Sequence, residues 1–296
     1  MDSTKQPQLI EVLDFRAHIN PVLSWILASL VALFCGIMFN ALLVNRDTVS
    51  RRTHLPAFGF IVFSSLAVSP SESLSSSIAI MLCLIALMNF SRLTFGGNSV
   101  SALFFGGFFI ALASTALPEL AFFMLIAAYI FADAKVGAFR AFFLTLIGFA
   151  TAIYFTWTGY FMFDKGFVFV DHYLSGFELT TPSLIIDTKT ALRNILLVVF
   201  GLLGLMSTLN SDAWRNVQPR RWLSFFLLLA LSYGVIGLFI ENDFGPTSIV
   251  SLALSVLMAH FFLIQKRQLL RQVVSLLLFA FAIAGQLISA QIISIN

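Results

Sequence analysis

Apolar residues in this chain run in long unbroken blocks, not in the one-sided stripes of water-facing helices. The first block runs from Pro21 to Val44, a second and shorter one from Leu55 to Val68, and a third from Leu74 to Phe90. Residues 101–132 are apolar except around Leu117-Pro118-Glu119. A proline inside a helix removes a hydrogen bond and clashes with the preceding turn, so this stretch reads as two helices joined by a tight turn. Beside that turn, Glu119 is expected at an interface. Further blocks follow at Ala138–Phe163, Ala191–Thr208, Trp222–Ile240, Pro246–Ile264 and Val273–Ile293, giving ten in all.

Blocks of about 17–25 residues match a hydrocarbon layer of roughly 30 Å at 1.5 Å per residue. Unpaired backbone is not tolerated there, which selects closed helices; a membrane barrel would show alternating segments of about ten residues. The fold class expected is therefore all-α, a polytopic transmembrane helical bundle. The second block is the weak point. At about 14 residues it reaches only roughly 21 Å, so it must thin the bilayer or lie inside the bundle.

Composition agrees: 59% of the 296 residues are hydrophobic and 10% charged. A soluble domain carries about 25% charged residues, so a water-facing surface is excluded. The net charge of +3 comes from bases in short loops between apolar blocks, which argues against nucleic acid as a partner. Cys35 and Cys83 both lie within apolar blocks and read as packing residues.

Charge also sets an expected orientation. Alternate loops collect Arg46, Arg51, Arg52, Arg92, Lys135, Arg140, Arg215, Arg220, Arg221, Lys266, Arg267 and Arg271, against only Asp47, Asp133 and Asp212. The bias marks these loops as cytoplasmic. Both ends of the chain then lie outside, as do residues 1–20 and the polar segment 164–190. Reading 101–132 as one span would turn the later basic loops outward, which favours the split. The first helix serves as the insertion signal, since residues 1–20 lack a cleavable leader pattern. The chain is expected to be a single integral membrane domain over 1–296, with no linker longer than 164–190.

No span carries a charge near its centre, which counts against a coupled transporter. There is no phosphate loop or HExxH, and the four histidines show no ligand spacing; no metal or cofactor is expected. Gly106-Gly107 reads as a close helix contact. His54 and His260, near the cytoplasmic face, read as satisfied or headgroup-facing.

Polar groups that could do chemistry gather on the outer side. Asp171, His172 and Glu178 sit among Phe167, Phe169, Tyr173 and Phe177. Asp14 and Arg16 precede the first span, Arg193 begins the seventh, and Glu241 and Asp243 follow the eighth. Such a set would suit glycan transfer from a lipid-linked pyrophosphate. One carboxylate or His172 would act as base, and Arg16 or Arg193 would stabilise the leaving phosphate. The plainer reading is that outer loops are polar and their aromatics form an interfacial belt, with Arg16 and Arg193 as snorkelling anchors.

The stretches 50–65, 102–131, 138–149 and 248–267, with Arg51-Arg52 before Leu55-Pro56, Arg140 and the closing Lys266-Arg267, resemble an uncharacterised multi-pass family of Bacteroidetes-type bacteria. The resemblance implies a bacterial inner membrane and carries over no catalytic residue. Three functional expectations follow, in this order. The first is a non-catalytic component of an envelope assembly or biogenesis system, with other membrane proteins as partners. The second is a membrane enzyme acting on lipid-linked glycans at the outer face, and the third a transporter.

Overall fold

The computed structural model describes residues 21–45, 48, 53–67, 73–95, 99–131, 137–177, 188–209, 217–239, 244–264 and 268–289. Among them the secondary structure is helical throughout: α1 (Pro21–Asn45), α2 (Leu55–Ala67), α3 (Ser73–Ser91), α4 (Ser99–Ala116), α5 (Phe122–Phe131), α6 (Ala138–Met162), α7 (Gly166–Ser175), α8 (Thr188–Leu209), α9 (Val217–Phe239), α10 (Phe244–Ile264) and α11 (Gln268–Ser289). Short 3-10 turns at Arg92–Phe95 and Pro118–Ala121 complete them. Four helices, α1, α3, α6 and α10, are long and apolar enough to cross a membrane by length and composition.

The most deeply set of them is α10. It packs against α2, α9, α8 and α3, and every described side chain from Thr247 to Phe262 except Val250 is buried. The short α2 lies inside the bundle, wedged between α10, α1 and α11. Its Gly59 sits at Ser255 of α10, where an added Cβ would come 3.3 Å from the serine, so the two backbones approach closely.

Small residues also set the helix pairing elsewhere. A Cβ on Gly107 would fall on the Thr145 carbonyl, and one on Gly148 on the Phe104 carbonyl, so α4 and α6 cross backbone to backbone. Gly106 faces the other way, against the ring of Phe90 on α3. The glycine pair is thus the packing contact its sequence suggested. Several hydroxyls in these apolar helices are satisfied locally: Thr145 donates to the Ala141 carbonyl at 3.0 Å and Thr208 to the Gly204 carbonyl at 2.7 Å.

Contact order gives helix direction. Gly201 meets Leu254 and Gly204 meets Leu257, so α8 and α10 run parallel. α4 and α6 run parallel as well. Beyond the Gly107–Gly148 crossing, Tyr173 touches Ser114 on α4 and also lines a groove with Ile153 and Trp157 on α6. Parallel neighbours require the chain between them to return, and that return is made by the turn at Pro118 and α5.

The described buried residues form two hydrophobic clusters, the larger of them rich in aromatic rings. Phe39 meets Phe60 and Phe226 with ring centroids 6.1 and 5.7 Å apart, and Phe123 meets Phe225 at 6.0 Å. Edge-to-face pairs of this kind add about 0.5–1.5 kcal/mol each beyond their buried area. Cys35 and Cys83 are buried in this core as packing residues.

Candidate functional site: a buried elbow beneath an aromatic helix

The turn between α4 and α5 holds the most heavily buried acid of the described chain. Leu117 is extended (φ −137°, ψ 92°), and Pro118 then opens a 3-10 turn, having no N–H to leave unpaired. Leu117 closes α4 by donating to the Ala113 carbonyl at 3.1 Å, and Leu120 donates back to Leu117 at 2.9 Å. Glu119 is only 1% exposed. α9 and α10 pack on this turn, and α7 closes over it, so the acid is buried within the protein.

Tyr233, fully buried on α9, ties the turn together. Its hydroxyl donates to the Glu119 carbonyl at 3.3 Å and hydrogen-bonds the Phe123 backbone at the start of α5. A broken helix frees backbone groups that no water in a bilayer can satisfy, and this hydroxyl serves two of them.

Above the turn lies α7, a helix formed within what reads in sequence as a polar loop. Asp164, at φ 58°, turns the chain back after α6, a conformation an aspartate tolerates. Gly166, Phe169, Tyr173 and Phe177 recur at spacings of three and four, placing them on one face. Along it runs a ring ladder: Tyr160–Phe169 at 5.4 Å, Phe169–Tyr173 at 5.8 Å, Tyr173–Phe177 at 5.4 Å, and Phe177–Phe122 at 5.6 Å. The Tyr173 and Ser114 hydroxyls are 3.1 Å apart. Gly176 rests on the Pro118 ring, where any Cβ would collide. Burial pushes the Tyr173 phenol above its ordinary value, with the Ser114 hydrogen bond pulling the other way.

Between α6 and α7 runs an open groove of about 450 Å³, lined by Phe149, Ala150, Ile153, Tyr154, Trp157 and Tyr173. That volume is within the range of small-ligand sites, roughly 300–1,000 Å³.

The residues singled out from sequence fare differently. Asp171 is exposed on α7, two positions from both Phe169 and Tyr173. At about 100° per residue it points away from the groove and from the turn. His172 follows it on α7, and Arg193 lies in the second turn of α8. Asp14, Arg16, Glu178, Glu241 and Asp243 lie outside the described residues. No group of three or more metal-ligating side chains occurs among the described residues.

Sequence reading missed the pairing of Glu119 with Tyr233. The available signal was an acid beside a proline within an apolar run and a lone tyrosine inside another. His260 is likewise buried, 3% exposed on α10, and hydrogen-bonds the Thr48 backbone; its Nε2 meets no partner among the described residues.

No protein-family model, curated protein or solved structure matches this chain.

Proposed function

We propose that the chain is a ten-span protein of a bacterial inner membrane, with both ends outside, and a non-catalytic component of an envelope assembly or biogenesis system. The parallel runs of α4 with α6 and of α8 with α10 fit ten alternating crossings. The segregation of bases sets the orientation.

The observation that carries the functional reading is the surface of α6. This helix docks through a stripe of small residues, Ala141, Thr145, Gly148 and Ala152. Elsewhere it presents large apolar side chains, among them Phe139, Ile147, Phe155 and Phe161. A helix held by one narrow seam leaves the rest of its surface to lipid or to another membrane helix. The test places a photo-crosslinking amino acid at Phe155 or Ile147 in native membranes. An adduct of constant mass with one other protein supports the component reading. Adducts with lipid alone would sink it.

A second reading is favoured by Glu119. An ionisable group inside a membrane bundle, at a break between two helices, is the arrangement seen where transporters bind ions and substrates. Flux of a solute in proteoliposomes, lost on Glu119→Gln, would move the assignment to a transporter. The enzyme reading draws on the α6–α7 groove, which suits an apolar chain, but Asp171 faces away from it.

A further inference from the structure

We propose that α7 is an interfacial helix, lying in the headgroup layer of the bilayer with the stripe Phe167, Val170 and Leu174 set among lipid acyl chains.

The stripe is the face of α7 that the protein leaves uncovered. Gly166, Phe169 and Tyr173 turn toward α6 and the elbow. Phe167, Val170 and Leu174 recur at spacings of three and four, about 100° round the helix from that docked face. They are exposed, Phe167 by 85% and Leu174 by 60%. Beyond the stripe come Asp171 and Ser175, four apart, with Asp171 exposed. Val168 is the apolar side chain on that polar row, and Asp164 and Lys165 are exposed where the helix begins. The helix thus has three faces: one docked on protein, one apolar and uncovered, one polar. Apolar and polar faces side by side suit the boundary between hydrocarbon and water.

Two further observations identify lipid as the cover. The first is depth. The ring of Tyr160 on α6 stacks on Phe169 at 5.4 Å, and Tyr173 shares the open groove with Tyr154 and Trp157. Tyrosine and tryptophan concentrate at the membrane–water boundary, so these side chains mark its level on α6, a helix long and apolar enough to cross. The second is continuity. Phe161 and Met162 end α6 exposed, and exposed Phe163 leads from them into α7. The stripe therefore extends the uncovered apolar surface of a candidate span. Phe169, Tyr173 and Phe177 pack on protein, and Phe167 is the ring left for lipid. This placement needs a chain that spans a membrane, whether or not a partner covers Ile147 and Phe155 of α6.

The experiment uses single cysteines at Phe167, Val170 and Leu174 and, as the water-facing reference, at Asp171, each carrying a nitroxide spin label. The native Cys35 and Cys83 are buried, and the parent chain treated alike gives their background. The purified full chain is placed in phosphatidylcholine vesicles. Relaxation by oxygen, which partitions into lipid, is compared with relaxation by a water-soluble nickel chelate. Oxygen is expected to dominate at the three stripe positions and nickel at Asp171, with the stripe labels about 5–10 Å below the headgroup boundary. All four sites are exposed, so the labels disturb little packing, and agreement among the three stripe sites guards against a local fault at one. Nickel access at the stripe equal to that at Asp171 would put the stripe in water and overturn the proposal. Immobile labels shielded from both reagents would mean cover by protein: a second copy if dilution with lipid frees them, another segment of this chain if it does not. Either result overturns it, as would stripe labels lying at the bilayer centre.

Discussion

The hydroxyl of Tyr233 donates to the carbonyl of Glu119 at 3.3 Å, across a separation of 114 residues. It locks α9 to the turn where α4 gives way to α5. Tyr233→Phe keeps the ring and removes the hydroxyl from a buried site. Leaving buried backbone groups unserved costs about 1–3 kcal/mol. The variant is expected to fold and to melt several degrees lower in detergent, while Tyr233→Ala, which adds a cavity, falls further by about 3–5 kcal/mol. An unchanged melting point for Tyr233→Phe would show that the hydroxyl carries no weight.

The glycines of α4 and α6 separate packing from backbone propensity. Gly148→Ala puts a methyl on the Phe104 carbonyl, and Gly107→Ala puts one on the Thr145 carbonyl. Both are expected to force α4 and α6 apart, at a cost of about 1–3 kcal/mol. Gly159, on α6 with Gly148, has nothing within 4 Å of its would-be Cβ. Gly159→Ala is expected to be neutral or stabilising by up to about 1 kcal/mol. Thermal unfolding of the three variants side by side checks this; equal losses in all would refute the close crossing.

Much of this arrangement was legible from local chemistry. The break at Pro118 follows from its missing N–H and its ring, and Gly106-Gly107 announced close contact because nothing else in that run is so small. The length of α2 left two choices, thinning the bilayer or lying inside the bundle, and its packing against α10, α1 and α11 is the second. What stayed hidden depends on tertiary neighbours. The burial of Glu119 within the protein shows only once α7, α9 and α10 are seen to close on its turn. Helix α7 was obscured because Asp171-His172 interrupts the apolar run along the sequence, and only the Gly166, Phe169, Tyr173, Phe177 spacing marks the buried side. Asp171 itself lies two residues from Phe169 and Tyr173, about a half-turn along the helix, and so points away from the groove.

Tyr173 sets a pH dependence for the seating of α7. Its phenol is raised above the ordinary value by burial, so the folded state favours the neutral form. The stabilisation is fully present below the ordinary phenol value of about 10 and is lost as pH climbs through the higher folded value. Protection of α7 amides in hydrogen exchange, corrected for intrinsic rates, is expected to stay flat from about pH 6 to 9 and to fall only above about 10. Tyr173→Phe, which lacks the ionisable group, should abolish the alkaline loss while lowering protection throughout. A fall near neutral pH that survives in Tyr173→Phe would assign the dependence to another group.

Asp171 distinguishes the functional readings most cheaply. It is exposed and points away from both the groove and the buried turn. Asp171→Asn is therefore expected to leave the amount of protein in the membrane and its melting point unchanged, within about 0.5 kcal/mol. A component that works through the surface of α6 should also keep its crosslinked partner in this variant. An enzyme using Asp171 as a base would behave differently. It would accumulate normally and yet fail to complement a deletion strain, because removing a positioned base costs about 10²–10⁴-fold in rate. Complementation by Asp171→Asn at parental level, with the Phe155 adduct intact, takes the outer carboxylate out of the chemistry. Failure to complement with the adduct intact would revive the glycan-transfer reading, centred on α7.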